Sequence, residues 1–358
     1  MLITNPTSLE RFSSVHRLWQ GIPSVEVTAN GRIFAAFYSG GETEQMGNFA
    51  AVVMSDDGGA TFSEPIAVAY MGEDARAYDS CLWIDPLGRL WFLWSVMPDS
   101  RVEFALCEQP DADDLIWSDV RLLAYDIMLN KPIITAEGWL FPVAVWKPGL
   151  AAGLAGGSDG VHETGAHVFL SRDEGETFEK IGTVDAPERW FDEHILLEKQ
   201  NGDIEMYIRT RYGIGKAVSQ DGGRTFGEAF DSGFGGPNSR FYIGRLRSGR
   251  ILLVNHYNFR GRNNLTAMLS DDDGVTYKGF LLLDGRDNVS YPDVKEADDG
   301  FLYIIYDHER GARYSKDIDY STYEKAILMA KVTEEDILAG ELVTEGSKLR
   351  MTVTKLGQ

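Results

Sequence analysis

Apolar and polar residues alternate with a period of two in six separated stretches of the chain, and each stretch breaks at a turn that ends in glycine. The stretches read GIPSVEVTANGRIFAAFY, DSCLWIDPLGRLWFLW, KPIITAEGWLFPVAV, EHILLEKQNGDIEMYIR, SRFYIGRLRSGRILLVN and YPDVKEADDGFLYIIYD. A period of two is that of a strand with one face on a core, and β-branched and aromatic residues fill the apolar positions. The turn glycines are Gly31, Gly88, Gly138, Gly202, Gly249 and Gly300, spaced by roughly 50 residues, the size of a propeller blade. Helical periodicity is nearly absent, and only TEEDILAG (Thr333–Gly340) reads as a helical turn.

A second repeat interleaves with the first. SDDGGATF, SRDEGETF, SQDGGRTF and SDDDGVTY begin at Ser55, Ser171, Ser219 and Ser270, and all obey Ser-x-Asp-x-Gly-x-Thr-aromatic. This is hairpin chemistry: Ser and Asp bond nearby backbone amides, Gly takes a positive φ, and Thr with the aromatic restarts a strand. The turn is too short to supply the oxygen ligands that calcium needs, so a structural role is expected. The two repeats together predict an all-β, six-bladed β-propeller forming a single domain over residues 1–358. The N- and C-terminal strands are expected to share a blade and so close the ring, and the Gly-rich stretch Lys147–Gly165 reads as a long loop inside the third blade.

Charge narrows the partners. The net charge of −21, with no basic stripe to offset it, argues against nucleic acid and anionic membranes. The first residues, MLITNPTSLERFSS, lack the basic and apolar regions of a signal peptide, and no apolar run approaches the ~18 residues of a membrane span. A cytoplasmic location is the expectation. Cys81 and Cys107 are too few for a disulfide framework, the histidines show no metal-ligand spacing (His162 and His167 lie in or near the Gly-rich loop), and no phosphate-binding loop stands out. No cofactor or metal is expected.

In a propeller the inner strands line a central channel and begin on one face, so residues far apart in sequence converge there. The beginnings here are Gln20-Gly21, Tyr78-Asp79, Asn130-Lys131, Asp192-Glu193-His194, Ser239-Arg240 and Ser290-Tyr291. Carboxylates, a lysine, an arginine and a tyrosine around one funnel make a candidate active site, where purely structural positions would be small or apolar. Each also has a structural reading: Tyr291 as a strand tyrosine with a polar tip, Glu193 as a mere counter-ion, Asp79 as a turn residue.

With these features the chain resembles the sialidase (neuraminidase) superfamily, whose propellers carry the same Ser-x-Asp turns as Asp-boxes. DEHILLEKQNGDIEMYIRTRYG places Glu193 and Arg209 like that family's catalytic Glu and the first of its later carboxylate-binding arginines. Arg211 is the competitor of Arg209, since two residues along a strand returns to the same face. Arg262, just upstream of the turn at Ser270, matches the next arginine, and Tyr291 in NVSYPDV matches the Tyr nucleophile. The resemblance implies an exo-glycosidase releasing a terminal acidic sugar, with carbohydrate as partner. Tyr291 would attack, Glu193 would take its proton, and Arg209 and Arg262 would clamp the substrate carboxylate. A neutral phenol avoids the like charge that a carboxylate nucleophile would meet at an anomeric carbon bearing a carboxylate.

Two departures from the pattern stand out. The family opens its first inner strand with Arg-Ile-Pro, where this chain has Gly21-Ile22-Pro23. The family's acid aspartate has no counterpart in FYSGGETEQMGN, which offers Glu42 and Glu44 as candidate acids, with Gln45 near the expected position. Loss of one bidentate contact costs on the order of 1.5–3 kcal/mol, which points to an acidic sugar other than N-acetylneuraminic acid, such as another nonulosonic acid, a 2-keto-3-deoxy sugar or a uronide. Arg240 and Lys131 are candidates to rebuild a differently placed anion site, and Asp79 to meet sugar hydroxyls. His194 and His256 (near Arg260 and Arg262) are further candidates to line the pocket. Two alternatives remain open: a lyase acting on a uronate with the same Tyr and base, and a carbohydrate-binding propeller without catalysis.

Overall fold

The computed structural model describes residues 1–147, 163–311 and 319–356. The Gly-rich loop expected between Lys147 and Gly165, with His162, lies almost entirely outside the described residues. Six antiparallel sheets surround a central channel, running outward in chain order except for the first strand of the chain, and the fold is a six-bladed β-propeller. The inner strands are Trp19–Val27, Arg76–Ile84, the pair Ile127–Met128 and Ile133–Thr135, Arg189–Glu198, Tyr242–Arg245 and Val289–Glu296. TEEDILAG forms the helix Glu334–Ala339, opened by a reciprocal cap between Thr333 and Asp336 and closed by Gly340 at φ 74°. A second short helix, Pro6–Leu9, has no apolar period to reveal it and is started by the Asn5 side chain. No helix among the described residues is long and apolar enough to cross a membrane.

Ring closure differs from the expectation. The N-terminal strand Leu2–Ile3 adds to the outer edge of blade one by pairing with Ala67–Ala69, while the C-terminal strand Lys348–Lys355 is the outer strand of blade six. Among the described residues no strand is exchanged between them. The seam is sealed instead by a shared apolar cluster, with Val25, Ile33 and Phe37 of blade one against Tyr303, Ile305 and Met329 of blade six. Two buried aspartates stitch it: Asp307 accepts from the Ile22 amide at 2.9 Å, and Asp293 accepts from Ser24 Oγ at 2.7 Å and the Val25 amide at 3.0 Å. Charge-assisted bonds of this kind tie the inner strand of blade one to blade six.

The four Ser-x-Asp turns follow the third strands of blades one, three, four and five. In the first, Ser55 Oγ accepts from the Gly59 amide at 3.0 Å, and Asp57 accepts from the Thr61 amide at 2.9 Å and the Thr61 hydroxyl at 2.6 Å; the other three copies repeat these bonds. Each turn throws its aromatic, Phe62, Phe178, Phe226 or Tyr277, onto the cluster that joins its blade to the one before. By strand direction they lie at the end of the channel opposite the inner-strand beginnings. Of the six repeat glycines, Gly138 is the exception: at φ 147° it begins a strand, and a Cβ there would stand 2.3 Å from the Ser171 carbonyl oxygen.

Candidate active site

Four inner strands share a backbone irregularity at the channel mouth. The pairing register slips after Gly21, Tyr78, Asp192 and Ser290, so that an extra residue bulges from the strand. The first residue past each slip has a positive φ: Ile22 at 58°, Asp79 at 47°, Glu193 at 42° and Tyr291 at 58°. Such conformations cost non-glycine residues on the order of 1–3 kcal/mol each and persist only when neighbours hold them. The braces are visible. Asn130 Nδ2 donates to the carbonyls of Glu193 at 2.7 Å and His194 at 3.0 Å. Arg189 Nη1 grips both oxygens of buried Asp192 at 2.7 and 2.8 Å, and Asp307 accepts from Ser290 Oγ at 2.6 Å. A bulge re-aims a side chain; here it turns Asp79, Glu193 and Tyr291 into one cavity of about 510 Å³.

The Tyr291 hydroxyl donates to Glu193 Oε1 at 3.0 Å and accepts from Arg209 Nη1 at 3.0 Å, while the same Nη1 reaches Glu193 Oε1 at 2.7 Å. Tyr291 is 5% exposed and Arg209 3%. Burial raises the Tyr291 phenol above its ordinary value and Glu193 adds to the shift, opposed by Arg209, Arg310 and Arg262. Arg209 is held in place by Asn238, whose side-chain oxygen accepts at 2.7 Å and whose carbonyl accepts at 3.2 Å. Its charge is reinforced by Glu193 and Tyr291 against the effect of burial. The other oxygen of Glu193, Oε2, is buried with no hydrogen-bond partner among the described residues.

Arg262 lines the same cavity, donates to the Asn238 carbonyl at 3.0 Å and lies 5.3 Å from the Tyr291 ring centre. It forms no ion pair with a described carboxylate, and its guanidinium pKa is lowered by burial and by the nearby Arg310 and Arg209. A third guanidinium, not anticipated from the sequence, is Arg310 just after the second strand of blade six (Leu302–His308), 4.6 Å from the Tyr291 ring centre. It lies over Gly21: a Cβ on that residue would stand 2.8 Å from Arg310 Cδ and 3.1 Å from its Cβ. The glycine in place of the family's arginine therefore makes room for an arginine arriving from another blade. The sequence placed Arg310 in no repeat position, so only the bare Gly21 hinted at it.

The remaining candidates separate into two groups. Asp79 and Glu44 line the cavity, Glu44 at 3.6 Å from Arg310; Glu42 is exposed and is not in the lining. Lys131 and Arg240 are not in the cavity either, which corrects the expectation that they rebuild an anion site there. Lys131 Nζ bonds the Val25 carbonyl and Glu26 (2.7 Å) and lines a second cavity at the other end of the channel. Arg240 is fully buried, donating to Asn130 Oδ1 at 2.7 Å and the Pro23 carbonyl at 3.2 Å, with Asp293 at 3.5 Å. Arg211 is exposed and stacks 4.1 Å above Trp190, leaving Arg209 as the arginine of that strand in the site. His194 is buried against the His167 carbonyl at 2.8 Å, and His256 bonds the Asn263 carbonyl at 2.7 Å, with its pKa lowered to about 4 by burial. Neither lines the main cavity.

The other wall is aromatic, built from Tyr78, Trp146 and Phe191 together with buried Arg76, which donates to the Tyr38 hydroxyl at 3.0 Å. The sequence places Tyr78 at the beginning of the inner strand of blade two, while Arg76, Trp146 and Phe191 carry no repeat signal. No group of three or more His, Cys, Asp or Glu among the described residues could hold a metal ion, and Cys81 and Cys107 are both free and buried.

The chain belongs to the BNR repeat-like domain family, whose model matches residues 121–304, more than half of the chain. No curated protein matches it. Among solved structures it is similar to the intramolecular trans-sialidase of Ruminococcus gnavus in complex with oseltamivir carboxylate (12% identity, 91% of this chain and 96% of that one, TM-score 0.68). It is also similar to the leech intramolecular trans-sialidase complexed with 2,7-anhydro-Neu5Ac (14% identity, 92% and 70%, TM-score 0.67) and to a protein of unknown function from Dyadobacter fermentans (19% identity, 81% and 90%, TM-score 0.60). At these identities the likeness is one of fold.

Proposed function

We propose that the protein is a sialidase-like exo-glycosidase that releases a terminal acidic sugar. The observation that carries this reading is the Tyr291 hydroxyl held 3.0 Å from both Glu193 Oε1 and Arg209 Nη1, beside two further guanidiniums. In the first step the Tyr291 oxygen bonds the anomeric carbon as its proton passes to Glu193 Oε1, and the bond to the leaving oxygen breaks. In the second, water attacks the same carbon and gives up one proton, which makes good the one the leaving oxygen took on departure, while Tyr291 leaves and recovers its own proton from Glu193. Arg209 stabilises the phenolate that forms on the way, a transition-state role for a charge already in place. Arg262 and Arg310 face the cavity as the site for the substrate carboxylate, and for half-buried Arg262 an incoming anion supplies the charge partner that no described carboxylate does. The aromatic wall of Tyr78, Trp146 and Phe191 suits the apolar face of a sugar ring.

One observation favours a second reading. Glu44, the one glutamate of FYSGGETEQMGN in the cavity, is engaged as a counter-ion of Arg310, and a site in which neither glutamate of that stretch protonates the leaving oxygen is suited to β-elimination on a uronate. A screen of terminal acidic glycosides and uronate oligosaccharides separates the two. Hydrolysis that Tyr291→Phe lowers by at least about 10³-fold is the expected result. An unsaturated product absorbing in the ultraviolet would replace it with the lyase, and binding without turnover would leave a carbohydrate-binding propeller.

A further inference from the structure

Asp79 stands at the same bulge position in blade two that Glu193 and Tyr291 hold in blades four and six. It is turned into the same cavity by the same positive φ. Its backbone conformation is costly, yet its side chain makes no hydrogen bond among the described residues and is only 6% exposed. A buried carboxyl that neither caps a turn nor braces a neighbour is not behaving as a structural residue. With Glu193 it also lines a small cleft beside Trp146 and Phe191, so the two carboxyls are close neighbours.

We propose that Asp79 is the general acid of this site, donating its proton to the leaving oxygen in the first step and taking a proton from the attacking water in the second. The inference rests on the glycosidase reading given above. Atoms balance: the bond from the anomeric carbon to the leaving oxygen breaks as that oxygen gains the Asp79 proton, and the Asp79 carboxylate recovers a proton from the water that releases Tyr291. The groups facing Asp79 are Glu193, Glu44, Arg76 and Arg240. Burial, then Glu193 and Glu44, raise its carboxyl to about 8 against the opposing pull of the two arginines, which keeps it protonated at neutral pH. Pairs of carboxyls pushed apart in this way divide acid and base roles between them. Of the two loop glutamates, Glu42 is away from the cavity and Glu44 is paired with Arg310; the acid comes from the second blade instead.

The test compares two glycosides of the same acidic sugar, one with an alkyl leaving group that needs protonation and one with a nitrophenyl group that does not. Asp79→Asn is expected to lose about 10³-fold in kcat on the alkyl glycoside and under about 10-fold on the nitrophenyl one, with the alkaline limb of the wild-type alkyl profile abolished. Equal losses on both, or none on either, would overturn the assignment. Carbon-13 NMR of aspartate-labelled wild-type protein gives a reading independent of variant folding: a carboxyl titrating near pH 8 supports it, and an Asp79 ionised throughout pH 5–7 overturns it. If wild type hydrolyses neither glycoside, the glycosidase reading falls and Asp79 with it. If wild type is active and leaving-group dependence is unchanged in the variant, Asp79 alone falls.

Discussion

At the far end of the channel Lys131 Nζ stands 2.7 Å from Glu26 and 3.3 Å from Asp293, and Lys295 meets the other oxygen of Glu26 at 2.8 Å. At the near end Arg262 has no described carboxylate against it, Glu193 keeps one oxygen unbonded, and Asp79 bonds nothing. The same six inner strands build both ends. The difference lies in the backbone. Where a bulge with positive φ occurs, as at Ile22, Asp79, Glu193 and Tyr291, the side chain turns into the mouth. Blades three and five have no positive φ at Asn130, Lys131, Ser239 or Arg240, and their cations point along the channel to be neutralised. A far end that closes its charges on itself holds the ring together; on the reading proposed above, the near end leaves them open for an acidic sugar.

That contrast can be broken from either side. The largest effect on stability is expected at the far end: Lys131→Met leaves Glu26 and Asp293 short of a buried counter-charge and should cost about 3–5 kcal/mol in denaturant unfolding. Turnover by the folded variant should stay at the wild-type level; a lost kcat would mean that the two ends are not separate. Gly21→Ala tests the near end. Its Cβ would stand 2.8 Å from Arg310 Cδ, so Arg310 must shift, and KM for an acidic substrate should rise about 10-fold, or ~1.4 kcal/mol, with kcat little changed. An unaltered KM would remove Arg310 from the carboxylate site.

The smallest effect belongs to the hairpin turns. Asp57 and Asp173 are lowered to about 2, mainly by the Thr61 and Thr177 hydroxyls that donate to them. Their folded pKa lies below the ordinary ~3.9, so each stabilises the fold above that value and stops doing so as pH falls toward 2. Asp173→Asn should lower Tm slightly at pH 7 and not at pH 2, with activity intact. A Tm difference that persists at pH 2 would show that the turn is held by something other than the ionised carboxylate.

The blades were legible in the sequence because both repeats report local physics: alternation marks a strand, and Ser-x-Asp-x-Gly-x-Thr marks a turn whose bonds lie within seven residues. That Tyr291, Glu193 and Arg209 would meet in one cavity could be read from repeat position. Lys131 and Arg240 were misplaced because a strand's beginning does not reveal whether it bulges, and a slip of one residue exchanges the mouth for the channel. Arg310 was missed because it belongs to no repeat and substitutes in space, not in sequence, for the residue absent at Gly21. Seam closure was misjudged for a similar reason, since aspartates bonding amides across blades leave no local pattern.

The most direct test of the central claim, that a bulge in blade six presents Tyr291 as the nucleophile, is to trap the intermediate. A fluorinated, activated glycoside of an accepted acidic sugar should leave a covalent glycosyl adduct that peptide mass spectrometry locates on Tyr291, and Tyr291→Phe should form none. An adduct on Glu193 or Glu44, or turnover undiminished in Tyr291→Phe, would contradict the account.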